Sequence, residues 1–213
     1  MKAIFATYGL MLLRAIGVHS VYVFISVACG FVLGLISGIL LSRIPKLSFI
    51  IMPLVSIFQT IPGLVFIGIL FLITGMTPLT VIIALSVYAM FPVMKNTYTG
   101  ILGVEKKYTD AAKGCGMTDF QTLINVELPL SLPSIIAGLR MSAIYTVSWA
   151  VLAAMIGLGG LGDFIYQGTS SNNNTLILLG AIPAAILAVA VGAVIDLIQK
   201  KAMPRGLKKE AVK

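Results

Sequence analysis

Charge, cysteine and histidine are all scarce in this chain of 213 residues. Charged residues account for 10% of the sequence and hydrophobic residues for 59%, and the mean hydropathy is +1.05. A soluble domain contains roughly 25% charged residues, so a water-soluble globule could not bury this much apolar surface. The composition therefore excludes the soluble enzyme classes, and it predicts a protein whose main solvent is lipid.

The two cysteines and the single histidine exclude several kinds of site. Cys29 lies in an apolar run and Cys115 in a polar stretch, without the CxxC spacing of a metal or redox site. We therefore expect neither a disulfide framework nor a bound metal. His19 stands at the start of an apolar run. We interpret it as an interfacial packing residue, because a proton relay usually needs a second ionisable partner in the membrane.

The length of the chain limits its organisation. A membrane-spanning helix needs about 20 apolar residues, so the chain allows roughly five or six crossings. No room remains for a separate catalytic or nucleotide-binding domain. We expect no cofactor in this chain, and the energy for any transport must come from a partner protein or an ion gradient. Arg14 interrupts the apolar residues near the N-terminus, and we expect no removable signal peptide.

Five apolar runs predict an all-α membrane protein with about five transmembrane helices. The second run contains Pro53 and Pro62, and splitting it at Pro62 would leave two pieces too short to cross the membrane. We therefore expect one broken or bent span there. The predicted spans cover residues 18–42, 47–73, 79–94, 134–156 and 176–198 of a single transmembrane domain, 1–213. A polar connector, 95–133, separates spans three and four, and a basic tail, 199–213, follows the last span.

Basic residues indicate which side of the membrane each link faces. With five spans, the link after the first span, the connector and the tail lie on one side. These segments hold twelve of the 15 Lys and Arg residues: Arg43, Lys46, Lys95, Lys106, Lys107, Lys113, Lys200, Lys201, Arg205, Lys208, Lys209 and Lys213. The positive-inside rule then predicts a multi-pass plasma membrane protein with its C-terminus in the cytoplasm and its N-terminus outside. Topology thus explains the net charge, and we expect no nucleic-acid partner.

Two glycine patterns have different interpretations. A GxGxxG pattern occurs at 157–162, but the dinucleotide fingerprint needs a preceding β-strand, and here an apolar membrane run precedes it. Small residues also recur every fourth position in the first span. Such a stripe lets another helix backbone approach closely, so we predict a packing face. Its members are Ser26, Gly30, Gly34, Gly38 and Ser42.

The connector has the sequence pattern of two short helices. Thr118 and Gln121 form a capping-box pair, and apolar residues follow at helical spacing until Pro129, where we expect the helix to stop. A shorter helix, about 109–115, precedes it, and Gly116 makes the corner. These helices could rest on the membrane surface or dock into the groove of a partner. The residues alone leave both possibilities open.

The connector segment DAAKGCGMTDFQTLINVELPLSLP resembles the EAA loop of permease subunits from bacterial ATP-binding-cassette (ABC) importers. The family pattern is EAA, three residues, Gly, nine residues, a branched apolar residue, any residue and then Leu-Pro. The matching positions are Asp110, Ala111, Ala112, Gly116, Val126, Leu128 and Pro129. Asp110 stands where the family usually has Glu, which keeps the charge but shortens the side chain by one methylene.

This resemblance implies a coupling helix, roughly 109–120, that enters a cleft of a cytoplasmic ATPase. The implied partners are a second permease subunit, identical or similar, two ATPase subunits that carry ATP and Mg, and an extracellular substrate-binding protein. Closure of the ATPases would then move the attached spans as rigid bodies. The chain itself would be a transport subunit and not an enzyme.

Further segments indicate the cargo. FQTIPGL, LPSIIAGLRMSAI and MIGLGGLGDFIYQG resemble the branch that imports glycine betaine, carnitine, choline and similar osmoprotectants. Permeases of methionine importers share the five-span plan, so a methionine or other amino-acid importer is the alternative. A secondary transporter is a weaker alternative, because the only ionisable residues in the spans lie near helix ends. A membrane enzyme would need paired acids or a His/Cys constellation within one span, and the sequence has none.

The candidate pathway residues lie in spans two and four. The break in span two contributes Gln59, Thr60 and Pro62, and span four contributes Tyr145, Ser148 and Trp149. A quaternary ammonium group has no hydrogen-bond donor and is held by aromatic faces. Polar helix contacts and the helix packing of Trp149 are the competing interpretations. An outer gate is expected at Gly159, Gly160, Gly162 and Asp163.

Overall fold

The computed structural model describes residues 2–153 and 157–203, and it describes side chains for residues 7–152 and 157–203. These residues form helices and no strand, which confirms the all-α prediction. The elements are α1 (Lys2–Arg43), α2 (Pro45–Phe58), α3 (Gly63–Thr74), α4 (Pro78–Leu102), α5 (Lys106–Gly114), α6 (Asp119–Thr122), a π-helix (Leu123–Glu127), α7 (Leu128–Ala153), α8 (Leu161–Ser170) and α9 (Asn174–Ala202).

Four stretches are long and apolar enough to cross a membrane: Thr7–Arg43, Pro78–Leu102, Asp119–Leu152 and Asn174–Ala202. The predicted break in the second run is confirmed. α2 and α3 are bent by 98° about residues 59–62, and this pair, counted as one span, makes five candidate spans. Proline explains the break, because Pro62 has no N–H to donate and its φ is fixed.

Several helices extend beyond the predicted membrane spans. α1 starts at Lys2 and runs through Arg14 into the span predicted from residue 18, and α4 continues past Lys95 to Leu102. Charged side chains do not end helices, since Arg and Lys are good helix formers. At about 1.5 Å per residue, α1 is roughly 63 Å long, about twice the hydrocarbon thickness of a bilayer. Residues 154–156 of the predicted fourth span and 204–213 of the tail lie outside the described residues.

The prediction that Pro129 stops the connector helix is wrong. Helical structure runs from α6 through the π-helix into α7, with Pro129 at the second position of α7. In the π-helix the N–H of Leu128 donates to the carbonyl of Leu123, five residues back. This wider turn ends directly before Pro129, so the change in hydrogen-bond register coincides with the residue that cannot donate a helical bond.

The bundle is built on a close contact between α1 and α4, and α7 packs against both helices. A Cβ atom added at Gly34 would lie 2.6 Å from the carbonyl oxygen of Met90, and one at Gly38 would lie 2.6 Å from Cβ of Thr97. Real Cβ atoms do not approach neighbours this closely, so both positions require glycine. The glycine stripe is therefore a packing face, as predicted. His19 is also a packing residue: it is completely buried, with Nε2 3.1 Å from the Val147 carbonyl.

Candidate translocation and coupling sites

Residues 59–62, which we call the break, expose backbone groups that an unbroken helix would pair. The N–H groups of Gln59, Thr60 and Ile61 donate back into α2. The carbonyl of Ile61, directly before Pro62, accepts a hydrogen bond of 2.9 Å from the Tyr88 hydroxyl of α4. Non-helical backbone at membrane depth needs such partners. Tyr88 therefore satisfies part of the backbone that the break leaves unpaired.

A cavity of about 340 Å³ lies beside the break, between α4 and α7. The residues that line it are Gln59, Tyr88, Pro92, Lys95, Asn96, Met141, Tyr145, Thr146 and Trp149. Its walls combine aromatic faces with amide, hydroxyl and ammonium groups. Trp149 packs against Tyr88, with ring centroids 3.6 Å apart and planes inclined by 73°. Tyr145 is 51% exposed in this single chain, so the cavity is open on that side.

The cavity unites three of the six predicted pathway residues, Gln59, Tyr145 and Trp149. The other three do not line it. Thr60 uses its hydroxyl to bond the Ile57 carbonyl at 2.7 Å, Pro62 caps α3, and Ser148 is exposed on α7. Closeness in sequence does not determine which side of a helix a residue occupies.

Sequence reasoning missed the contribution of α4 to this cavity. Tyr88, Pro92 and Asn96 follow one another at intervals of four, so they share one face of the helix. The Asn96 amide donates to the Pro92 carbonyl at 2.8 Å, and Lys95 is exposed beside it. A proline and polar residues on one face of an apolar helix were the signal that could have identified this wall.

The predicted corner at Gly116 has a well-defined backbone structure. α5 ends in a Schellman motif, in which the N–H of Met117 bonds the carbonyl of Ala112 and the N–H of Gly116 bonds that of Lys113. Gly116 has φ of +82°, a conformation that costs other residues free energy. α6 then starts with the predicted capping box, where Thr118 and Gln121 bond each other's backbone N–H groups.

The EAA-type residues divide between two surfaces. Asp110 and Ala111 are exposed on α5, whereas Ala112 is 6% exposed and packs inside this chain. α5 ends at Gly114, so the expected coupling helix 109–120 is two helices joined at a corner. Phe120 is 71% exposed just beyond the corner. Leu128 and Pro129 are half-buried at the start of α7 and join the connector to a membrane span.

The glycine segment before α8 lies at the opposite end of the bundle. Gly159 and Gly160 have positive φ values, and Gly162 is buried in the first turn of α8. The Tyr22 hydroxyl of α1 donates to the Leu158 carbonyl at 3.1 Å. Asp163 is half-buried, and desolvation raises the pKa of its carboxyl. It lines an open cavity of about 380 Å³ together with Gly159, Gly160 and Arg14.

Comparison with known proteins identifies the family to which this architecture belongs. Residues 30–206 match the family described as binding-protein-dependent transport system inner membrane component. The chain belongs to this family. It is therefore a multi-pass plasma membrane transport component and not an enzyme, and the family implies ATPase and substrate-binding partners. Within the described residues no group of three or more His, Cys, Asp or Glu side chains is arranged to hold a metal.

Individual relatives cover most of this permease. The carnitine transport permease protein OpuCB of Listeria monocytogenes is 40% identical over 86% of this chain and 84% of the relative. The glycine betaine/carnitine/choline transport system permease protein OpuCB of Bacillus subtilis is 37% identical over 97% of this chain and 95% of the relative. A structure of the inward-facing MetNI methionine ABC transporter matches with a TM-score of 0.82 at 26% identity, over 93% of this chain and 99% of that one.

Proposed function

We propose that this permease moves a quaternary ammonium osmoprotectant, such as glycine betaine, carnitine or choline, into the cell. The observation that carries the proposal is the similarity to osmoprotectant permeases along nearly the whole chain. The cavity beside the break supports it chemically. Tyr145 and Trp149 offer aromatic surface to a group that cannot donate a hydrogen bond, and Gln59 and Asn96 supply polar contacts for the rest of the solute.

Pathway roles follow from this proposal. Gln59, Tyr145 and Trp149 would contact cargo, while Thr60 and Pro62 would hold the break in shape. Ser148 lies outside the cavity and would face a second permease subunit or lipid. Gly159, Gly160, Gly162 and Asp163 would form the gate on the outer side, where the binding protein delivers cargo.

The connector would receive the ATPase. Asp110 and Ala111 are exposed on α5, as a docking surface requires, and the Gly116 corner sets the angle between α5 and α6. Ala112 would fix α5 to its own chain, and Leu128 and Pro129 would pass the movement to α7. ATP and Mg would be bound by two ATPase subunits and not by this chain. A second permease subunit, identical or similar, would complete the pathway.

The proposed orientation places the connector and the C-terminus in the cytoplasm and the N-terminus outside. The basic residues of the described structure support it. Lys46 lies in the first turn of α2, directly after α1, and Lys107 and Lys113 lie in α5, directly after α4. The ion pair between Arg43 and Glu127 brings the end of α1 and the connector to the same end of the bundle. Positive charge of this kind is retained on the cytoplasmic side of membranes.

The test is uptake by the complete complex in proteoliposomes with the binding protein supplied outside. We expect ATP inside the vesicle to drive accumulation of radiolabelled betaine, carnitine or choline, without a proton or sodium gradient. Accumulation of methionine alone would favour the amino-acid importer. Uptake that persists without ATP and collapses with an uncoupler would favour a secondary transporter.

A further inference from the structure

We propose that the ion pair between Arg43 and Glu127 transmits movement of the connector helices, α5 and α6, to the break beside the cavity. Arg43 is the last residue of α1, and Glu127 is the last residue of the π-helix. The pairing uses two nitrogens and two oxygens. Nη1 of Arg43 lies 3.3 Å from Oε1 of Glu127, and Nη2 contacts Oε2. A two-pronged contact of this kind fixes orientation as well as distance.

The burial of this pair sets it apart from the other ion pairs in the described part of the chain. The Glu127 side chain is 10% exposed, and that of Arg43 is 40% exposed. Lys107–Glu105 and Lys113–Asp119 join side chains that are all at least 60% exposed. A buried carboxylate is costly to leave unpaired, so the loss of Arg43 costs more than the loss of one partner of a surface pair.

The two partners belong to segments that are far apart in sequence. Arg43 and Glu127 are 84 positions apart in sequence. Ile44 alone separates Arg43 from α2, and α2 ends at the break. Glu127 ends the π-helix, which follows directly on α6 and packs against α5. A displacement of the connector helices therefore reaches the start of α2 through one side-chain contact.

The pair adds a second route to the one through the backbone. Along the backbone, the connector helices pull on α7, which carries Tyr145 and Trp149. Through Glu127 and Arg43 they pull on α2, which leads to Gln59. These two routes end on residues that line the same cavity. The ion pair thus makes Gln59 and the α7 residues of the cavity move together when the ATPase moves the connector. Its loss should uncouple ATP hydrolysis from transport.

This inference rests on the proposed import function, and the test is the number of ATP molecules hydrolysed per cargo molecule imported by the assembled complex. In Arg43→Gln and in Glu127→Gln we expect uptake to fall by about tenfold, within the range typical of coupling between sites. ATP hydrolysis stimulated by the loaded binding protein should stay within about twofold of the wild type, so the ratio rises. Arg140→Gln is the matched control, because it breaks the partly exposed pair with Asp196 and should leave the ratio unchanged.

Two further variants keep the test decisive. The reversed pair, Arg43→Glu with Glu127→Arg, should bring the ratio back towards the wild-type value. Arg43→Lys keeps the charge but loses the two-pronged contact, so we expect an intermediate ratio even if Arg43→Gln fails to assemble. A wild-type ratio in Arg43→Lys and in every single variant that assembles would overturn the inference. A wild-type complex that imports no quaternary ammonium compound would instead contradict the proposed function, since the ratio can be measured with any cargo.

Discussion

The hydroxyl of Tyr88 donates a hydrogen bond of 2.9 Å to the carbonyl of Ile61, the residue that precedes Pro62 in the break. One side chain of α4 thereby stabilises the bend between α2 and α3 and at the same time lines the cavity. The shape of the proposed pathway and the stability of the break therefore depend on the same residue.

We predict that Tyr88→Phe lowers the free energy of unfolding by about 1 kcal/mol, the usual net value of one hydrogen bond. The aromatic packing with Trp149 stays, and only the hydroxyl is removed. The measurement is thermal unfolding of the purified complex. Tyr145→Phe is the control, because Tyr145 is exposed and makes no hydrogen bond among the described residues. Equal stability of both variants would show that the break does not need the bond.

Replacing Trp149 should weaken transport more than stability. A cation over an aromatic face gains about 0.5–2 kcal/mol, so Trp149→Leu should lower uptake of a quaternary ammonium cargo roughly 2- to 30-fold. Trp149→Phe should lie between this variant and the wild type. Ser148→Ala, next in sequence but outside the cavity, should transport normally. The competing interpretation, helix packing alone, predicts that Trp149→Phe and Trp149→Leu reduce uptake only as far as they reduce the amount of folded complex.

Gly116→Asp should abolish uptake while the subunit remains inserted in the membrane. Gly116 has open space around it, so the cost comes from its φ of +82°, which is about 1–2 kcal/mol for a residue with a Cβ atom. Gly114→Asp is the matched control, since Gly114 also has open space and lies in α5. Gly116→Asn should recover part of the activity, because Asn has the shape of Asp without its charge, and both tolerate this conformation better than other residues with a Cβ atom. Uptake and ATPase co-purification are the two measurements. Normal transport by Gly116→Asp would mean that the corner is only a surface loop.

Two glycines of α1 should respond in opposite ways to alanine. Gly38→Ala places a Cβ atom 2.6 Å from Cβ of Thr97, and overpacking of this kind costs about 1–3 kcal/mol. Nothing lies within 4 Å of a Cβ atom added at Gly17, so Gly17→Ala should be neutral or stabilising by about 0.5–1 kcal/mol, as expected for a helix interior. Thermal unfolding in detergent separates the two. Similar unfolding temperatures would mean that α1 and α4 can move apart freely.

The proposed orientation can be tested with cysteine labelling in intact cells. Native Cys115 is exposed beside Gly116, and Ser171 is exposed at the opposite end of the bundle. In chains that lack Cys29, we expect an impermeant thiol reagent to label Ser171→Cys and to leave Cys115 unlabelled until the cells are opened. A Cys at position 173 is a poorer reporter because the Asn173 side chain caps α9. Labelling of Cys115 in intact cells would reverse the orientation.

Features governed by residues close in sequence could be predicted. The capping box at Thr118 and the corner at Gly116 depend on three or four neighbouring residues, and the glycine stripe of α1 depends on one helical period. The break also follows from local chemistry, because a proline has no N–H to donate. Pro129 shows the limit of that rule, since the helix changes to a π-turn directly before it and then continues.

The cavity and the buried ion pair could not be predicted in the same way. Tyr88 meets Ile61 across 27 positions, and Arg43 meets Glu127 across 84. Which residues meet at such distances depends on how helices rotate about their axes, and helices without a strongly polar face leave that rotation to packing. Sequence alone therefore could not separate Thr60 and Ser148, which do not line this cavity, from their neighbours Gln59 and Trp149, which do.

Trp149 is the only tryptophan in the sequence, and it lines the cavity beside the break. The isolated subunit consequently carries a natural optical reporter at the proposed cargo position. Its indole emission responds to the polarity of the space in front of the ring, so a solute that displaces water there changes the spectrum without any attached dye. Occupancy of the cavity can thus be followed in a bilayer by intrinsic tryptophan fluorescence.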